Sequence, residues 1–69
     1  MKEHDIVFDI RYKKFAKVRG VYNEIVKVYT LRDDGYLARG APRYIFKNET
    51  ILVNPDTPEN RLLIQLKYG

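Results

Sequence analysis

The sequence predicts an all-β domain, and three observations predict it. Apolar and polar residues alternate near the N-terminus, β-branched and aromatic side chains fill the apolar runs, and turn-forming residues break those runs at short intervals. Three phenylalanines and six tyrosines within a 45% hydrophobic composition mark a chain that folds.

The elements follow in order. In "IVFDIRY", Ile6, Phe8, Ile10 and Tyr12 fall on one side with Asp9 and Arg11 on the other, so residues 5–12 read as a half-buried strand. Residues 12–31 admit two readings. As a helix, Phe15, Val18, Tyr22, Ile25 and Tyr29 make an apolar stripe. As strands, "FAKVRGVY" and "IVKVYTL" are two arms joined at Asn23-Glu24. The strands are favoured, because a helix would hold Gly20 in its middle, lack a cap near Arg11 and place Asp33 and Asp34 at its negative end.

Arg32-Asp33-Asp34-Gly35 then signals a hairpin turn, with Tyr36 opening the return strand. The two aspartates read as turn formers before they read as phosphate or metal ligands. Gly40-Ala41-Pro42 reads as a bend in an edge strand that leaves Arg39 and Arg43 flanking a kink with outward guanidiniums. "YIFKNETILVN" repeats the pattern of apolar run, Lys47-Asn48-Glu49 turn and second run. "NPDTPEN" is a loop. In "RLLIQLKY", Leu62, Ile64, Leu66 and Tyr68 share one strand face. The competing helix has Thr57 as N-cap, Pro58 at its first position and Glu59 against the dipole, but few residues to fill it. The strand is preferred.

Five or six short strands imply a small antiparallel barrel, SH3-like or OB-like. The alternative is α+β, with one helix over residues 12–31 packed on an antiparallel sheet. Sixty-nine residues suit a single domain spanning 1–69. A core this small is reinforced by disulfides, a metal or a partner. Cysteine is absent and His4 is the single histidine, which removes disulfides and a Cys/His zinc site and leaves a homo-oligomer as the expectation.

No apolar run is long enough for a membrane span, and charge studs the first residues where a signal peptide would be apolar, so a cytoplasmic location is expected. Serine and cysteine nucleophiles are both missing, and no cofactor motif is present. An acid–base role for His4 with Asp5, Asp9 or Glu24 would require carboxylates that converge, and a non-enzyme is the expectation. The charge content leans towards a heat-adapted composition, against which stand four asparagines.

Charge is distributed unevenly. Residues 11–47 carry ten cations against three carboxylates, a net +7, whereas residues 1–10 carry −2 and residues 48–69 carry −1. A basic middle is the electrostatic footprint of a polyanion binder. Tyrosines interleave with those cations, and on an open β-surface rings stack on bases while Lys and Arg hold phosphates. Lys13, Lys14, Lys17, Arg19, Lys27, Arg39 and Arg43 are the candidate phosphate contacts, with Tyr36 and Tyr44 as stacking rings. The expected function is therefore non-catalytic nucleic-acid binding. The alternative is a protein-interaction or assembly module, such as a small regulator or a phage or virus subunit, using a β-edge and exposed tyrosines.

Overall fold

A computed structural model describes residues 1–32, 34 and 36–69. Five strands run β1 (Ile6–Asp9), β2 (Lys14–Tyr22), β3 (Ile25–Thr30), β4 (Arg43–Phe46) and β5 (Thr50–Val53), followed by helix α1 (Pro58–Tyr68). They form one antiparallel sheet in the order β4-β3-β2-β1-β5. β2 and β3 are the two arms expected from residues 12–31, turning at Asn23 (φ 54°), and no helix forms there. The helix of this mainly β fold is C-terminal, so the α+β class fits with its helix in a different place.

The expected barrel is not closed. Lys47–Glu49 form a 3-10 turn that leads the chain from β4, one edge, to β5, the other; these strands do not pair as a hairpin. The sheet is nevertheless curled. Val7, Ala16, Val18, Val26, Val28 and Ile45 pack on one face as the buried core. On that face, Nη1 of Arg43 in β4 donates to Oδ2 of Asp9 in β1 over 2.7 Å. Three strand spacings separate β4 from β1, about 14 Å in a flat sheet, which is more than an arginine side chain spans. Curvature must close the difference. A bulge between Val18 and Gly20 in β2 supplies local twist and bend.

Two expectations for β1 are corrected here. Asp9 lies on the core face, fully buried, because Arg43 reaches it from across the sheet. The strand also ends at Asp9: its Oδ1 accepts the Arg11 and Tyr12 amides (3.0 and 3.3 Å), turning the chain before Lys13 (φ 57°). The return strand expected at Tyr36 is reduced to a single Leu31–Leu37 bridge; regular pairing resumes at Arg43, after Gly40 (φ 125°) and Pro42. Asp33 and Gly35 of the hairpin signal lie outside the described residues.

The strand preferred for "RLLIQLKY" is overturned. Thr57 Oγ1 accepts the Asn60 amide (3.1 Å), Pro58 sits in the first turn, and Arg61 clamps Asp56 through two hydrogen bonds. The alternation of period two is equally two i,i+4 pairs: Leu62 with Leu66, and Ile64 with Tyr68, on opposite sides of a helix. Asn60, Arg61, Ile64 and Tyr68 are the half-buried side, while Leu62, Leu63 and Leu66 are exposed. α1 packs beside β5, and Arg61 lies 5.5 Å over the Phe15 ring, itself edge-on to Phe8 at 4.9 Å. No described helix is long and apolar enough to cross a membrane.

Candidate functional site

Cross-strand register decides which side chains share a surface, because directly opposed residues point the same way. Lys17 opposes Tyr29; after the bulge, Gly20 opposes Lys27 and Lys27 opposes Tyr44; Tyr22 opposes Ile25 and Ile25 opposes Phe46. All lie on the face opposite the valine core. Arg19, the extra residue of the bulge, turns to the same side, and its guanidinium sits 5.8 Å over the Tyr29 ring. The β2–β3–β4 half of this face is thus an open surface with three cations and four rings. Tyr22, Tyr44 and Phe46 are 58%, 62% and 53% exposed.

Local sequence explains the layout. Val18, Val26, Val28 and Ile45 fill the core face, which leaves the alternate positions to Lys17, Lys27, Tyr29 and Tyr44. Gly20 matters by its small size. A Cβ there would lie 2.8 Å from Oη of Tyr22, so the Tyr22 ring lies back along the strand over bare backbone, beside Lys27. Tyr22, Tyr29, Ile25 and Phe46 were not among the candidate residues from sequence. Alternation alone marks them as surface or core without saying which, and the bulge shifts the register midway.

The other sequence candidates lie elsewhere. Lys13 and Lys14 are exposed and line a groove of about 330 Å³ with Phe15, Leu31, Arg32 and Arg61. Two of its four cations are already engaged. Arg32 pairs with Asp34 at 3.0 Å, and Arg61 is held by Asp56, whose carboxyl is pushed below its ordinary range chiefly by the hydrogen bonds from Arg61. The partner effect raises the Arg61 guanidinium for the same reason. Arg39 and Tyr36 sit exposed in the segment between β3 and β4.

Arg43 requires a correction: its guanidinium is not outward. Nη1 contacts Asp9, Nε donates to Thr30 Oγ1 (2.8 Å), and the Tyr12 ring lies 5.0 Å from it, leaving the side chain 29% exposed. Arg43 Nη2 is buried without a hydrogen-bond partner among the described residues. This group braces the fold. The carboxylates considered for catalysis are dispersed as well: Asp9 is on the core face, Glu24 at the β2–β3 turn and Asp5 ahead of β1, and among the described residues no three His, Asp or Glu side chains converge.

Neither a protein-family model, nor a curated protein sequence, nor a solved structure matches this chain.

Proposed function

We propose that the chain is a non-catalytic nucleic-acid-binding domain whose contact surface is the open face of β2, β3 and β4. One observation carries this reading: Lys17, Arg19 and Lys27 share an uncovered β-surface with Tyr22, Tyr29, Tyr44 and Phe46. Cations beside rings on a sheet suit a single strand, whose unstacked bases lie on the aromatic faces while phosphates meet Lys and Arg. Lys13 and Lys14, at the start of β2, lie off this face, since Lys14 opposes Asp9 on the core side, and add only to the long-range positive field, whereas Arg39 and Tyr36 add exposed side chains from the segment between β3 and β4. Arg43 contributes to shape alone.

The test is fluorescence anisotropy with labelled single-stranded and duplex oligonucleotides at roughly 50 and 200 mM salt, where phosphate contacts lose affinity steeply. Tyr44→Ala should weaken single-strand binding by about 5- to 150-fold, the range for one stacked base. Lys27→Ala should lower the salt slope by about one. Absence of binding at low salt, or an affinity that ignores salt, refutes the reading. A protein-interaction role has support of its own in a different surface, the outward leucines of α1.

A further inference from the structure

We propose that the outward side of α1 is the contact between two copies of this chain, joined antiparallel about a two-fold axis. At 100° per residue, Leu62, Leu66, Glu59 and Leu63 fall within a stripe about 100° wide. That is the width of an ordinary core-facing helix surface. Here it faces away from the sheet, with Leu62, Leu63 and Leu66 58%, 62% and 75% exposed. The side that meets the sheet is instead Asn60, Arg61, Ile64 and Tyr68. Leu52 on β5, also exposed, continues the apolar surface beside Leu63 across a shallow groove of about 310 Å³.

Charge selects a second copy as the occupant. A two-fold axis through Leu63 sets Glu59 of each helix against Lys67 of the other, so the ends of the stripe are self-complementary. Neither residue is in an ion pair among the described residues. Residues 54–69 also carry two cations and two carboxylates, a net charge of zero, whereas residues 11–47 carry +7. α1 is therefore where two chains of net charge +4 meet with least repulsion. An acidic partner would be drawn to the middle of the chain instead. The helix is only about 16 Å long, so its stripe falls short of the roughly 800 Å² that each partner gives a stable interface. The dimer is accordingly concentration-dependent.

Sedimentation of the full chain from low micromolar to near-millimolar concentration, without nucleic acid, reads the assembly directly. The mass should rise from that of one 8.2 kDa chain towards twice that value. Leu66→Glu should hold it at one chain throughout. Glu59→Lys and Lys67→Glu should each weaken the dimer, and the double reversal should restore it. A chain that stays monomeric at every concentration overturns the proposal, as does a dimer indifferent to Leu66→Glu, or single reversals that the double reversal fails to rescue. Circular dichroism checks each variant's fold; should Leu66→Glu not fold, the charge reversals decide alone. Oligonucleotide binding by a purely monomeric chain would leave the open-face reading standing while removing this one.

Discussion

Replacing Arg43 with methionine tests the fold's most distinctive contact. The substitution keeps an apolar stem of similar length and removes the one cation that pairs with Asp9 among the described residues, a carboxylate with no exposed surface. Breaking a buried ion pair from one side costs about 3–5 kcal/mol, because the remaining charge is left uncompensated. Two details select the lower end. Asp9 retains the Arg11 and Tyr12 amide donors, and the unpartnered Nη2 of Arg43 already detracts from the pair it leaves. A loss of about 3 kcal/mol is expected. At roughly 0.05–0.15 kcal/mol per residue, the domain has only about 3–10 kcal/mol in total, so the variant should be close to half-unfolded or have a midpoint lowered by about 12–24 °C. Urea denaturation followed by circular dichroism gives the number. Pairing Arg43→Met with Asp9→Asn removes both charges while keeping an Oδ1 acceptor for the Arg11 and Tyr12 amides, and should recover most of the loss, since the buried charge disappears with its partner. A single-variant cost under about 1 kcal/mol, the worth of an exposed pair, would refute the reasoning, as would costs that simply add in the double variant. Where the variant remains folded, oligonucleotide affinity should be unchanged, because the guanidinium is already occupied.

Thr57→Ala removes the N-cap acceptor of α1 and should cost about 1 kcal/mol, visible as a drop of about 4–8 °C in thermal midpoint. The Asp56–Arg61 clamp adds stability that is fully present above the ordinary carboxylate pKa of 3.8 and is lost as pH falls through the lower folded value. Both side chains keep about a third of their surface in water, which screens the pair, so Asp56→Asn should cost about 0.5 kcal/mol or less at pH 7 and nothing in strong acid, as paired denaturation curves would show. Gly20→Ala should cost no more than about 1 kcal/mol, since the new methyl meets the far end of an exposed ring. It should still displace Tyr22 and shift the Lys27 and Tyr22 resonances in NMR spectra; unmoved resonances would show that the ring does not lie over Gly20.

How much was legible from sequence varies by residue. The arms of β2 and β3 and the turn at Asn23-Glu24 were readable because Gly20 penalises a helix and the β-branched residues suit strands. The 3-10 turn at Lys47–Glu49 was visible as a turn, but where the chain went next was not, because a local signal does not say which strand will be the neighbour. α1 was announced by Thr57, Pro58 and Glu59, and those caps were outweighed by an alternation that two i,i+4 pairs also produce. The candidate cations were divided by long-range geometry. Lys27 and Tyr44 are 17 positions apart and face the same way only through the register of β3 with β4. Arg43 turns inward because a residue 34 positions away is brought within its reach by a curvature of the sheet that the residues around position 43 do not encode.

A closed barrel joins its last seam with a backbone ladder, which any sequence without proline can form. Here the corresponding approach of β4 towards β1 is secured by the side chains of Arg43, Asp9 and Thr30. The curl of this open sheet is therefore written in residue identity. A chain could drift at most positions of these strands and keep its hydrogen-bonded rungs, yet lose its curvature through one change at position 9 or 43. In descendants of this sequence those two positions should change together or remain fixed, whereas the cations of the open face are free to migrate one by one.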